Sequence, residues 1–154
     1  MKLAFVCSGN ICRSPMAQAI AKAQLEARGL AGMAISAGTL NIQNRRAASH
    51  ARAVCAEHGL DLEAHRSQGI QNRMITFADH VFVMSPHHKT DTLKLFPQLE
   101  PRIVLMWQWV PRDQHDEALS EIRDPVNQDV QHFERCFQQL DAALKAWFDA
   151  QADR

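Results

Sequence analysis

Phe5-Val6-Cys7-Ser8-Gly9-Asn10-Ile11-Cys12-Arg13-Ser14-Pro15 is the stretch on which the reading of this chain turns. Before it, Lys2 to Val6 is a short apolar run of strand type. After it a helix opens: Ser14 suits an N-cap, and Pro15 then falls at the first helical position, where a missing N–H costs nothing. Between strand and helix lie a cysteine, five residues and an arginine. Such a loop can turn successive backbone N–H groups inward as an anion nest. The helix N-terminus behind it adds partial positive charge. Arg13 adds a planar fork that matches phosphate oxygens bidentately. Cys7 sits on the floor of this field, where a thiolate is favoured over a thiol. A loop that gathers the oxygens of a dianion around a sulfur nucleophile is equipped to take a phosphoryl group onto cysteine. A lone cysteine after a strand is more often a small buried hydrophobe, and a lone Ser-Pro only a helix start. The joint pattern Cys-x5-Arg-Ser-Pro, with Gly9 and Asn10 inside it, outweighs both bland readings.

Outward from this loop the chain alternates strands and helices. Ser14 to Arg28 places Met16, Ala19, Ile20, Ala23 and Ala27 at helical spacing, with Gly29 as its stop. Met33 to Ser36 reads as the second strand, closed by Ala37-Gly38-Thr39 and followed by an irregular loop, Leu40 to Arg46. Ala47 to His58 is a helix with Ala51, Val54 and Cys55 inward, stopped by Gly59. A Val- and Phe-rich strand, Asp79 to Met84, ends in Ser85-Pro86, a second cap-plus-proline signal that opens a helix to Phe96. Pro101 precedes a fourth strand, Arg102 to Trp107. The hydrophilic stretch Pro111 to Arg123 leads to Asp124-Pro125, which alone reads as the cap and first position of the last helix. From there Val126, Val130, Phe133, Phe137, Leu140, Leu144 and Trp147 alternate steps of four and three, the stripe of a long amphipathic helix. This alternation predicts one α/β domain over residues 1–154, a doubly wound parallel sheet with helices on both faces. Right-handed crossovers put the Cys7 loop at the carboxyl edge of that sheet.

Composition narrows the class. With 154 residues and 46% apolar content the chain is long enough for one core. Lys plus Arg and Asp plus Glu balance at 17 each, so no global field argues for nucleic acid or a membrane surface. No apolar run spans a bilayer, and no signal-peptide pattern opens the chain. Four cysteines are too few for a disulfide scaffold, which points to the reducing cytoplasm. Cys7, Cys12, Cys55 and Cys136 contain no Cys-x2-Cys pair, and the eight histidines contain no pair three or four apart, so neither a metal nor another cofactor is expected. Cys55 and Cys136 fall on apolar helix faces and read as core; adjacent His87 and His88 read most simply as solvated.

The segment Val6 to Pro15 resembles the signature loop of the low-molecular-weight protein tyrosine phosphatases. The resemblance runs from Leu3 to Trp147 and implies a four-stranded version of the fold. It makes Cys7 the nucleophile and Arg13 the phosphate clamp, with Ser8, Gly9, Asn10, Ile11, Cys12, Arg13 and Ser14 around the phosphate. It implies that Asn10 holds the loop in shape from a left-handed conformation, and that Ser14 hydrogen-bonds the sulfur and helps it leave. Cleaving a phosphate ester also needs a proton for the leaving oxygen and then a base for water. Glu121-Ile122-Arg123-Asp124-Pro125 resembles the family segment whose aspartate does both, so Asp124 takes that role. Weaker likenesses make Ser36-Ala37-Gly38-Thr39 the second-strand loop and His65 a support for the phosphate loop. Cys12 matches the family position that traps an oxidised nucleophile as a disulfide. The implied partner is a phosphotyrosine-containing protein, a tyrosine kinase being one candidate.

The chain departs from the family at the pocket rim. Aromatic residues common after Asp-Pro and after the second strand are replaced by Val126 and, approximately, Ile42, and there is no tyrosine anywhere. Ser85 stands where the family commonly has an acidic residue. Three other readings compete. A protein arginine phosphatase uses the same loop but favours a threonine where this chain has Ile11. An arsenate reductase needs relay cysteines near Met84, and none is there. An inactive anion-binding relative is disfavoured because Cys7, Arg13 and Asp124 are all present.

Overall fold

The computed structural model describes residues 1–115 and 120–154. Part of the hydrophilic stretch Pro111 to Arg123 therefore lies outside the described residues. Strands β1 (Lys2–Cys7), β2 (Met33–Gly38), β3 (His80–Val83) and β4 (Ile103–Leu105) form one four-stranded sheet in the order β2-β1-β3-β4. Every pairing is parallel. Helices α1 (Arg13–Ala27), α2 (Ser49–Glu57), α3 (Pro86–Leu95) and α4 (Val130–Ala152) connect and close it.

The strand sequences explain the layering. A parallel strand covered on both faces is apolar throughout, as Leu3-Ala4-Phe5-Val6 is, and all of these are fully buried. Alternation then sorts them. Leu3, Phe5 and Phe82 face a layer built from Met16, Ile20 and Leu25 of α1, Val54 of α2 and Phe137, Leu140 and Trp147 of α4. Phe5 and Phe82 stack at 4.9 Å, and Trp147 sets its edge against Phe82 at 5.1 Å. Ala4, Val6, Val81 and Val83 face the other way, against Ile70, Ile75, Phe96 and Leu99. That second layer is α3 together with short 3-10 turns at Ile70–Asn72, Met74–Phe77 and Pro97–Arg102. Helices thus lie on both faces, as expected, with the long ones on one side.

Several element boundaries move for local reasons. Helix α1 begins at Arg13 with Cys12 as its N-cap residue, so Ser14 is not the cap, and Pro15 sits inside the first turn, where it still gives up no bond. Asp124-Pro125 does not open the last helix. Asp124 Oδ1 accepts from the Val126 N–H at 3.1 Å, a local turn, and Asn127 at φ +60° breaks any helical run. Helix α4 starts at Val130 with Asp129 as N-cap, its carboxylate accepting from the Gln131 and His132 N–H groups. Val126 and Val130, expected on the buried stripe, are 38% and 42% exposed. The stops were local: Gly29 and Gly59 follow α1 and α2 at φ +62° and +76°.

The order β2-β1-β3-β4 makes the space between β1 and β3 the point where the winding reverses. Loops from the two strands diverge there and leave a crevice at the carboxyl edge. Cys7 is the last residue of β1, and Met84-Ser85 follows β3. Among the described residues, no helix is long and apolar enough to cross a membrane.

Candidate active site

The loop between Cys7 and Arg13 is held from outside by its own carbonyls. The Cys7 carbonyl accepts from the Thr39 N–H at 2.9 Å, Ser8 from Leu40 at 3.0 Å and Ile11 from Ala48 at 2.9 Å. The Asn10 carbonyl accepts from His65 Nε2 at 2.7 Å, which requires that ring nitrogen to carry the hydrogen. In a trans peptide the N–H points opposite to the C=O. Four outward carbonyls therefore turn the N–H groups of Ser8, Gly9, Ile11 and Cys12 inward, the arrangement of an anion nest. Gly38 permits the packing: a Cβ there would lie 2.5 Å from the Ser8 carbonyl oxygen.

Asn10 is fully buried and sits at φ +58°, in the left-handed region expected of it. Its Nδ2 donates to Ser14 Oγ (2.8 Å) and Ser36 Oγ (2.9 Å), and its Oδ1 accepts from the Gln68 N–H (2.9 Å). Ser14 Oγ lies 2.9 Å from Cys7 Sγ. Because Asn10 already donates to that oxygen, the Ser14 hydrogen is aimed at the sulfur. Freed from capping, Ser14 holds the Cys7 sulfur instead.

Arg13 is buried, yet its guanidinium is pinned at several points. Nη1 donates to the Ile122 carbonyl at 3.0 Å, and Nη2 to Ser8 Oγ at 3.4 Å. Nη2 also lies 3.2 Å from Asp124 Oδ2, bringing together residues far apart in sequence. Arg13 Nε is buried with no hydrogen-bond partner among the described residues, and a phosphoryl oxygen is the acceptor such a group takes. Ile122 was not singled out from the sequence. It is fully buried, and its N–H bonds the Met84 carbonyl at 2.9 Å, which docks the Asp124 segment to the end of β3.

The other sulfurs are quiet. Cys12 is free and buried; burial first, then the negative charges of Asp124 and Cys7, push its thiol up to about 12. Cys55 and Cys136 are buried as expected, and burial raises both. At the rim, a Cβ added to Gly9 would lie 3.6 Å from Ile11 Cγ1 and 3.8 Å from Ile42 Cδ1. The two isoleucines thus form an aliphatic shelf beside the loop.

His87 is exposed as expected, but His88 is fully buried, against the solvated reading. Strand β3 delivers it beside β1, where its Nε2 lies 2.9 Å from Ser8 Oγ and its Nδ1 lies 2.9 Å from Ser85 Oγ. Burial, then Arg13 and His87, push its pKa down to about 3. Burial also lowers His65 and His80. A histidine that folds at a pKa below its unfolded value contributes stability above pH ~6.5 and loses it as pH falls, because the unfolded chain binds the extra proton. From His88 alone, going from pH 7 to 4.5 should cost about 2–3 kcal/mol of unfolding free energy. Urea unfolding at both pH values should show a clearly smaller loss in His88→Gln; an equal loss would place the acid sensitivity elsewhere.

The family described as low molecular weight phosphotyrosine protein phosphatase matches residues 2–154. A protein-arginine-phosphatase of Geobacillus stearothermophilus is 31% identical over 144 residues, 93% of this chain and 90% of that protein. The low molecular weight protein-tyrosine-phosphatase Etp of Escherichia coli K12 is 28% identical over 143 residues, 92% of this chain and 88% of that one. A solved structure of the YwlE arginine phosphatase, a cysteine-to-serine mutant with a phosphorylated active-site serine, superposes with a TM-score of 0.87 at 26% identity, covering 100% of this chain and 98% of that one. The chain belongs to the low molecular weight phosphotyrosine protein phosphatase family.

Proposed function

We propose that this protein hydrolyses phosphotyrosine in phosphoproteins through a phosphocysteine on Cys7. The observation that carries this reading is the 3.2 Å approach of Asp124 Oδ2 to Arg13 Nη2, because it sets a carboxyl group beside the residue that clamps phosphate. In the first step Cys7 Sγ attacks phosphorus, the ester P–O bond breaks, and the leaving oxygen takes the Asp124 proton. In the second, the Asp124 carboxylate takes a proton from water as its oxygen bonds phosphorus. The P–S bond then breaks, and inorganic phosphate and the Cys7 thiolate are released. Inward N–H groups and Arg13 bind the phosphoryl oxygens throughout, stabilising the charge spread over them in the transition state. The Ser14 O–H keeps its hydrogen and hydrogen-bonds the sulfur, stabilising the thiolate as it leaves.

The choice of leaving group rests on the rim. Ile11 has no hydroxyl to orient a guanidinium or its attacking water, and Ile42 beside it extends an apolar shelf suited to an aryl ring. Phosphoarginine is the competing substrate, favoured by the 31% identical relative named for it. We place the enzyme in the cytoplasm, since all four cysteines are free and a reducing compartment keeps the nucleophile usable. The test compares kcat/KM for a phosphotyrosine peptide and a phosphoarginine peptide, with EDTA present. We expect the tyrosine peptide to be preferred; a higher value for phosphoarginine would overturn the assignment.

A further expectation follows from the missing aromatic. Val126, 38% exposed and two residues past Asp124, should accept a ring as a new wall. Val126→Tyr should strengthen KM for phosphotyrosine by about 0.5–1.5 kcal/mol, roughly 2- to 12-fold, with little change in inhibition by inorganic phosphate. Equal changes in both constants would show that the substitution had altered the loop and not the rim.

A further inference from the structure

A hydrogen-bonded chain leads from the phosphate loop to solvent. Ser8 Oγ lies 2.9 Å from His88 Nε2, and His88 Nδ1 lies 2.9 Å from Ser85 Oγ. Ser85 Oγ lies 2.7 Å from Nδ1 of His87, which is exposed. At the inner end, Ser8 Oγ also accepts from Arg13 Nη2 at 3.4 Å, the same nitrogen that meets Asp124. The Cys-x5-Arg pattern asks nothing of the residue at position 8 beyond its backbone N–H, and nothing of position 88.

Resting on the phosphatase reading above, we propose that His88 is a positioning residue. It donates from Nε2 to Ser8 Oγ and so turns the Ser8 O–H toward a bound phosphoryl group, as a side-chain donor added to the loop amides. Arg13 can only donate, and a neutral histidine offers one N–H and one acceptor nitrogen. With the hydrogen on Nε2, the Ser8 oxygen accepts from both His88 and Arg13, and its own hydrogen is left for another acceptor. His88 Nδ1 then accepts from the Ser85 hydroxyl, whose oxygen accepts in turn from His87 Nδ1. The exposed His87 ring takes the tautomer this needs without leaving a buried group unpaired. The reverse direction, with Ser8 donating to His88, satisfies the same atoms. A dianion held by the loop selects the inward one, because hydrogen bonds to a charged acceptor are stronger and polarise the chain behind them. The low pKa that burial and Arg13 impose on His88 keeps the ring neutral, as this accounting requires.

The test measures Ki for inorganic phosphate, and kcat and KM for p-nitrophenyl phosphate, in single and double variants. Ser8→Ala should raise Ki and KM about 10- to 150-fold, the usual scale for losing one hydrogen bond to a charged group, with kcat changed less. His88→Asn should act likewise, since its shorter amide reaches toward Ser85 but not Ser8. His88→Gln, whose amide nitrogen falls near the position of Nε2, should recover most of the affinity. The double variant Ser8→Ala/His88→Asn should be no weaker than Ser8→Ala alone, because the histidine acts only through the serine. Additive losses in the double variant would reduce His88 to a packing role and overturn the proposal. So would an unchanged Ki in Ser8→Ala, however well the His88 variants fold. Absence of wild-type turnover would instead refute the phosphatase reading itself, and phosphate affinity in the same variants would still report on the Ser8 donor.

Discussion

Cys7→Ser should abolish turnover, by on the order of 10⁴-fold or more, while leaving oxyanion binding largely intact. The two halves of this result have separate physical origins. Turnover needs a nucleophile that attacks phosphorus and later leaves, and a serine oxygen in its place attacks more slowly and is a poor leaving group once phosphorylated. Binding rests on parts that the substitution does not touch. These are the inward N–H groups of Ser8, Gly9, Ile11 and Cys12, held by outward carbonyls, and the Arg13 guanidinium, held by Ile122 and Asp124. Serine is close in size to cysteine, and Ser14 and Asn10 can still hold the position from behind. Titration of Cys7→Ser with inorganic phosphate should give an affinity within a few-fold of the wild-type inhibition constant. Lost binding would mean that the sulfur itself holds the anion; retained turnover would mean that another group is the nucleophile.

Asp124→Ala should lower kcat by roughly 10²–10⁴, the usual worth of a positioned general acid. The loss should grow as the leaving group worsens. p-Nitrophenolate departs with little help, so its ester should suffer least, and an alkyl phosphate should suffer most. The structure adds a second effect. Asp124 Oδ2 meets Arg13 Nη2 at 3.2 Å and Asp124 is 37% exposed, so its carboxylate offers part of what a phosphate dianion offers the same guanidinium. Removing it frees Nη2, and inorganic phosphate should bind the variant as tightly as wild type or tighter. Weaker phosphate binding would show that Asp124 positions Arg13 and does not merely compete for it. Equal activity of wild type and variant on alkyl and aryl esters would leave the carboxylate only its local bond to the Val126 N–H.

The parts of this site that were legible in the sequence are those written locally or by family pattern. The strand, loop and helix from Phe5 to Pro15 lie within one short stretch, so their spacing sets Cys7 at the end of β1 and Arg13 at the start of α1, while the left-handed Asn10 was legible only through the resemblance. His65 and Asp124 are remote, and only resemblance pointed to them; the structure places His65 Nε2 on the Asn10 carbonyl and Asp124 on Arg13. Ser14 shows how local rules mislead. Its type and its Pro15 neighbour suit a cap, but a hydroxyl between Asn10 Nδ2 and Cys7 Sγ is committed elsewhere, and the cap falls to Cys12 without a side-chain bond. Asp124 fails as a cap because Arg13 and the Val126 N–H take its carboxylate, and Asp129, whose Oδ1 meets the Gln131 and His132 N–H groups and the His132 ring, takes the place. His88 was not legible at all. It is 80 residues from Ser8, and nothing near it in sequence says that β3 will lie beside β1. Only the parallel pairing brings the first turn of α3 under the phosphate loop. Ile122 is hidden likewise, because its contribution is made by backbone atoms.

A phosphoryl group that passes through Cys7 can be trapped there. In Asp124→Ala the second step lacks its base, so the phosphoenzyme should accumulate when p-nitrophenyl phosphate, a good leaving-group substrate, is supplied. Rapid quenching followed by peptide mass spectrometry should find one added phosphoryl group on the peptide that carries Cys7, absent when Cys7→Ala is combined with Asp124→Ala. Continued turnover with no phosphoryl group on Cys7, or a phosphoryl group on any other side chain, would contradict it.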